Sequence, residues 1–296
     1  MLTLFRWFAR RPLWLLHAVG AALGWITYWA SPSYRRRFKH NARQAGISPA
    51  DARASIAAAG RMVAEAPMLW LRPAGVPIRP TVRWEGVDLV AAAHARGRGT
   101  LLLTPHMGSF EVTAQAYAER FAATLAPLTV LFRPARKAAL RALMDGSRER
   151  PGLLTAPATL AGVRQMMRAL RRGEAVGLLP DQVPPDGMGV WVPFFGEPAY
   201  TMTLAARLVQ QTGATPLLIW GERLARGAGY TVRVSALDEA LPESDPAQAE
   251  SAAIINRAME RLIRQCPQQY LWGYNRYKQP RSATPAAAAV DKKNEE

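Results

Sequence analysis

The chain of 296 residues carries one cysteine, Cys266, so it has no internal disulfide and no zinc site built from several thiolates. Histidine is nearly as scarce. His17, His40, His94 and His106 are scattered, and none forms H-x3-H or H-E-x-x-H, so no metal site is expected from them. No G-x-S-x-G turn offers a serine nucleophile. Acidic residues are in deficit, 22 against 38 Lys and Arg, which leaves a net charge of +16. An excess of that size implies an anionic partner: nucleic acid, phosphate head groups or an acidic carrier protein. Zinc-finger, RRM and KH signatures are missing, which argues against nucleic acid. With 49% hydrophobic and 20% charged residues, the composition is that of a globular chain with a substantial core.

Long apolar runs are also few, and one stands out. Residues Leu13 to Ala30 read LWLLHAVGAALGWITYWA, eighteen residues with His17 as the only ionisable group. Trp14 lies at one end and Trp25, Tyr28 and Trp29 at the other, where interface-seeking aromatics belong. Eighteen residues is the short limit for crossing about 30 Å of hydrocarbon. An uncleaved membrane anchor is the favoured reading, with a buried core helix and a cleaved signal peptide as alternatives. Against cleavage, aromatics crowd the end of the run and Arg35, Arg36 and Arg37 follow without a small-residue cleavage site. Arg6, Arg10 and Arg11 precede the run, while Arg35, Arg36, Arg37, Lys39 and Arg43 follow it. The heavier side favours a cytoplasmic body, whether the helix spans or lies in the interface.

Beyond the run, helical and strand-like stretches alternate, which predicts an α/β fold: a mixed central sheet flanked by helices. Ser48-Pro49 opens a helix reaching Leu71, and further helices are predicted over 88–95, 160–171, 201–211 and 248–265. Strands are predicted over 79–85, 100–104, 128–132, 175–179, 190–195, 216–220 and 230–234. The last fifteen residues, SATPAAAAVDKKNEE, lack apolar periodicity and read as a disordered tail. The expected organisation is therefore an anchor over 1–30, a catalytic domain over 31–281 and a tail over 282–296.

The chemistry gathers at strand ends. Thr100 to Thr104 runs directly into Pro105-His106-Met107-Gly108-Ser109-Phe110-Glu111, and ligands of open α/β sheets collect beyond the carboxyl ends of strands. A carboxylate that meets His106 can fix its tautomer and stabilise the imidazolium, as general-base activation of an alcohol requires. Cys266 lies in a helix-like stretch far from His106 in sequence, so direct attack by a bound hydroxyl is simpler than a covalent acyl-enzyme.

His106-x4-Glu111 after an apolar strand resembles the H-x4-D/E motif of the glycerolipid acyltransferase superfamily. More specifically, the chain resembles the lipid A late acyltransferases, the lauroyl/myristoyl transferases of lipopolysaccharide assembly. Phe132-Arg133-Pro134, Arg148-Glu149-Arg150, the stretch from Ala169 to Asp181-Gln182, Val192 to Thr201, and Gln269 to Lys278 carry the likeness. Asn41 falls where the family has an early asparagine. The resemblance implies His106 as base and Glu111 as its orienting carboxylate. It also implies a charge-stabilising or phosphate-holding arginine, for which both Arg148 and Arg150 fit, with Arg148 preferred and Arg133 a further phosphate candidate. Asp181 is expected at the site rim and Gln182 beside it, and Phe194 and Phe195 are candidates for an acyl groove. The implied activity is transfer of a fatty acyl chain from an acyl-carrier thioester to a hydroxyl of a phosphorylated lipid A precursor. It would run without metal or further cofactor, on the cytoplasmic side of a bacterial inner membrane. An acyltransferase using a lysophospholipid or another glycolipid is the alternative. One departure is visible: Gly273-Tyr274-Asn275 stands where the family often has a more basic segment.

Overall fold

The computed structural model describes residues 7–73, 75–132 and 150–280. Its centre is β2 (Thr100–Leu103), whose four residues are all buried, as in a strand covered on both faces. The other strands of its sheet are β1 (Val82–Glu85), β3 (Leu128–Phe132), β4 (Leu153–Pro157), β5 (Ala175–Leu178), β8 (Thr215–Arg223) and β9 (Tyr230–Ala236). They lie in the order β1-β9-β8-β2-β5-β3-β4. All pairings are parallel except β8 with β9. The sheet is mixed and flanked by helices, as the alternating pattern predicts.

Alternate side chains of a strand point to opposite faces, and β2 divides the core accordingly. Leu101 and Leu103 pack with Met166 and Leu170 of α6 (Leu160–Arg171) and with Ile255 and Met259 of α8 (Ala249–Gln265). Leu102 enters the other cluster, with Val112, Tyr117 and Phe121 of α5 (Phe110–Phe121) and Val90 of α4 (Val87–Ala95). Burying each such leucine contributes about 1.5–3 kcal/mol.

A second sheet is the hairpin of β6 (Gly189–Phe194) and β7 (Glu197–Met202). The sequence pattern predicts a helix from Thr201, whereas α7 spans Leu204–Thr212 and Thr201 belongs to β7. Pro198 masks the strand signal there. It lies opposite Pro193 across the hairpin, which a two-stranded sheet tolerates because both strands are edges. Phe194 and Phe195 stand at the hairpin tip, and Phe195 has φ 48° before Gly196. Both rings are buried and packed on each other, and Phe195 packs against Trp272.

The apolar run forms α1 (Leu13–Ala30), followed by α2 (Pro32–Gln44) and α3 (Pro49–Trp70). Ser48 caps α3 by accepting a hydrogen bond from Asp51 N at 3.1 Å, with Pro49 at the first helical position. α1 runs antiparallel along α3 with backbones touching. A Cβ on Gly60 would lie 1.9 Å from the Gly20 carbonyl oxygen, and one on Gly24 would lie 2.3 Å from that of Ile56. Only glycine permits this approach. Leu13 and His17 are buried by the contact, while Trp14, Leu23, Ile26 and Trp29 are exposed on the opposite side of the helix. The predicted tail, 282–296, falls outside the described residues.

Candidate active site

The parallel register of β2 and β5 assembles the site. Leu103 pairs with Leu178, so residues three beyond each strand partner, His106 and Asp181, emerge side by side at the same sheet edge. His106 Nδ1 lies 2.6 Å from Asp181 Oδ1, and the His106 backbone N–H donates to Oδ2 at 2.9 Å. The carboxylate that grips the imidazole is thus Asp181, whereas the H-x4-E spacing points to Glu111. Gln182, the next residue, places its amide Nε2 3.0 Å from His106 Nε2. With Nδ1–H donating to the carboxylate, Nε2 keeps its lone pair and accepts from this amide.

Asp181 is 1% exposed. Burial pushes its carboxyl up, but the His106 ring, the two hydrogen bonds from His106 and the nearby Arg276 charge outweigh this and hold it below the usual range. The buried Tyr270 hydroxyl lies near the same carboxylate. Burial, then the Asp181 charge, raise the tyrosine's pKa well above its ordinary value, so the hydroxyl keeps its proton. Arg276 is buried, donating to Tyr200 O and Thr201 Oγ1 at 2.7 Å each and to Asn256 Oδ1 at 3.3 Å.

The C-terminal segment latches onto the His106 loop from below. Leu271 N donates to His106 O at 3.2 Å, Gly108 N donates to Gln269 O at 3.0 Å, and Met107 bridges Tyr270. Asn41 fastens the segment in turn, donating to Trp272 O and Tyr274 O at 2.7 Å each. Gly108 has φ 58°, and a Cβ there would lie 1.9 Å from the Gly221 carbonyl oxygen, so the turn after His106 requires glycine.

Beneath the loop lies a buried ion network. Glu65 of α3 receives Arg223 Nε at 2.8 Å and Nη2 at 2.6 Å, Tyr230 OH at 3.2 Å, and stands 3.0 Å from His17 Nε2 of α1. Burial opposes its charge, but Arg223 dominates and holds the carboxyl down at about 2. Arg223 Nη2 also donates to Gly108 O at 2.9 Å. Nothing in the sequence spacing signals this network, because its members come from α1, α3, β8 and β9.

His106 opens on a largely apolar cavity of about 280 Å³. Leu102, Leu128, Val130 and Leu179 wall it, with Phe110 and Glu111 beside the histidine. Glu111 occupies the first turn of α5 and therefore shares the cavity with His106. Arg150 lies elsewhere. Its guanidinium donates to Arg72 O at 2.9 Å and Leu69 O at 2.6 Å, closing the end of α3, where orphan carbonyls need donors. Phe194 and Phe195 are 2% and 5% exposed in the core and do not line this cavity. Arg133 and Arg148 fall outside the described residues. Cys266 is buried, and burial pushes its thiol up to about 12, which leaves it no thiolate at neutral pH. Among the described residues no group of three His, Cys, Asp or Glu is placed to hold a metal ion.

Comparison with known proteins bears directly on this arrangement. The family model for bacterial lipid A biosynthesis acyltransferases matches residues 17–279. The chain is 28% identical over 222 residues to a lipid A biosynthesis palmitoleoyltransferase of Escherichia coli K12, covering 74% of this chain and 68% of the relative. It is 28% identical over 206 residues to a lipid A biosynthesis lauroyltransferase of the same organism, covering 68% and 64%. A lipid A biosynthesis acyltransferase of Haemophilus influenzae is 23% identical over 187 residues, covering 63% and 56%. The family match takes in α1 from His17 onward, the His106 loop, the Asp181 turn and the latch, and the chain belongs to the bacterial lipid A biosynthesis acyltransferases.

Proposed function

We propose that the chain moves a fatty acyl group from an acyl-carrier thioester to a hydroxyl of a phosphorylated lipid A precursor, at the cytoplasmic face of the inner membrane. The observation that carries this reading is the His106 imidazole, held through Nδ1 by Asp181 at 2.6 Å in the wall of an apolar cavity. A hydroxyl entering beside Nε2 replaces the Gln182 amide there. His106 takes its proton as the oxygen attacks the thioester carbonyl, and Asp181 stabilises the imidazolium without being protonated itself. When the C–S bond breaks, the imidazolium returns the proton to the departing thiolate. Atoms and charge balance, and no enzyme-bound acyl group forms. The apolar cavity suits the hydrocarbon chain, and the charge of +16 suits both an acidic carrier and a phosphorylated acceptor. With Nδ1 and the His106 amide both taken by Asp181, the work left to Glu111 lies on the substrate side of the cavity.

Mass spectrometry of lipid A from cells with and without this protein tests the reading. A mass difference of one acyl chain is the expected result. Unchanged lipid A alongside altered phospholipids would replace the lipid A acceptor with a lysophospholipid. Enzyme activity in detergent that survives His106→Ala would remove the base.

A further inference from the structure

A second cavity, of about 580 Å³, lies between α1, α3 and the turn after β8. It is unlike the first in its walls. Arg61, Arg223 and Arg226 line it, with Glu222 as the lining acid. Glu222 is already engaged by Arg233, at 3.1 and 2.7 Å. Arg223 is 5% exposed, and although its Nε and Nη2 are committed to Glu65 and Gly108, its Nη1 is buried with no hydrogen-bond partner. That nitrogen has almost no accessible surface, so Arg223 gives the cavity wall its charge rather than a free donor. Arg61 makes no hydrogen bond or ion pair with another described residue, and burial together with the Arg223 charge lowers its pKa. Arg61 therefore brings an unpaired positive charge to a wall it shares with Arg223, whose own charge is met by Glu65. His17 faces the same cavity, but its ring is taken by Glu65.

The remaining walls say where the anion comes from. Trp14 and Ala18 line the cavity, and both belong to the exposed face of α1 that also carries Ile26 and Trp29. A row of exposed apolar and tryptophan side chains on one helix face is the signature of contact with a bilayer interface. We propose that this cavity is a phosphate site for a lipid headgroup, with Arg61 and Arg226 as its donors and the Arg223 charge behind them. The ligand chemistry is a phosphate monoester or diester, and the site goes beyond the acyl-transfer reading. It is wired to the other site, since Arg223 also holds the Gly108 carbonyl two residues after His106.

The test compares the full chain with Arg61→Gln and with Arg207→Gln, which removes the same charge from an exposed position on α7. Binding is measured to phosphatidylcholine vesicles doped with phosphatidic acid, and to vesicles brought to the same surface charge with oleate. The expected result is a preference for phosphatidic acid that Arg61→Gln reduces about tenfold or more, Arg61→Lys largely restores and Arg207→Gln leaves intact. Line broadening of inorganic phosphate by 31P NMR, at constant ionic strength, separates the sources. Broadening that depends on Arg61 shows a pocket for the phosphate group as such, and vesicle preference without it shows a site that needs the lipid surface. Equal losses in the two glutamine variants, or no preference for phosphate over carboxylate at all, would overturn the proposal. Acyl transfer is read separately, so failure here leaves the His106 mechanism standing.

Discussion

At the scale of single residues, Asp181 is where the chemistry is most exposed to test. Asp181→Asn keeps the shape but removes the acceptor that fixes the Nδ1–H tautomer, and its amide can favour the wrong one. Turnover is expected to fall by about 10²–10⁴, with little change in KM for either substrate. Steady-state kinetics with a thioester donor in detergent measure this, and wild-type kcat in the variant would remove Asp181 from the mechanism. Glu111→Gln reports a different role, because a carboxylate on the substrate side should change KM as well as kcat. Glu65 makes a second prediction, about stability. It binds its proton less tightly when folded, at about 2, than at its ordinary value of 4.5. Its ion network therefore stabilises the fold fully above about pH 4.5, and that contribution is lost as pH falls from there towards 2. Urea denaturation at several pH values should show this loss in the wild type. In Glu65→Gln it should be missing, with lower stability at pH 7 because Arg223 is left buried and unpaired. Parallel pH profiles for the two proteins would contradict the assignment.

At the scale of elements, the α1–α3 contact makes the N-terminal helix part of the folded body. Gly60→Ala drives a methyl group into the Gly20 and Gly24 backbones. Overpacking of that kind costs about 1–3 kcal/mol, or several degrees of Tm at roughly 2–4 °C per kcal/mol for a chain of this size. Differential scanning calorimetry would show it, and an unchanged Tm would mean the helices are not pressed together. A chain starting at Ser31 loses more, since Leu69 and the Glu65 network are then uncovered, and it should unfold without a cooperative transition. Elements such as β3 and α6 were legible in the sequence to the residue, because the apolar pattern there is unbroken and Thr159 marks the start of α6. β4 and β7 were not. β4 is a short edge strand ending at Pro157, and Pro198 interrupts the β7 pattern. The site shows the same division. His106 at a strand end is visible locally, but its partnership with Asp181 depends on β5 lying beside β2, which is a matter of sheet order. The latch is further out of reach. Tyr270 meets Asp181 only because Asn41, Met107 and Gly108 hold the chain's last strand-like segment across the loop.

At the scale of the whole molecule, the charge of +16 acts on encounter rather than on chemistry. The predicted tail contributes almost nothing, since Asp291, Glu295 and Glu296 offset Lys292 and Lys293, so the field belongs to the body. α2 alone carries Arg35, Arg36, Arg37, Lys39 and Arg43 with no acidic residue, and it packs beside the end of α1 where Trp29 is exposed. A field of this kind raises the local concentration of an anionic substrate and speeds its capture, over a range set by the Debye length. That length falls from about 30 Å at 0.01 M salt to about 8 Å at 0.15 M and about 3 Å at 1 M. The proton transfer proposed for His106 would, by contrast, run over less than a hydrogen-bond length, too short a distance for salt to screen. Raising salt should therefore lower kcat/KM for an acidic carrier thioester steeply while kcat stays nearly constant. An uncharged donor, such as the N-acetylcysteamine thioester of the same fatty acid, should show a flat kcat/KM across that range with the acceptor held saturating. If both donors respond alike, salt is acting on the acceptor or on the fold. If neither responds, the positive surface serves the membrane and not the carrier.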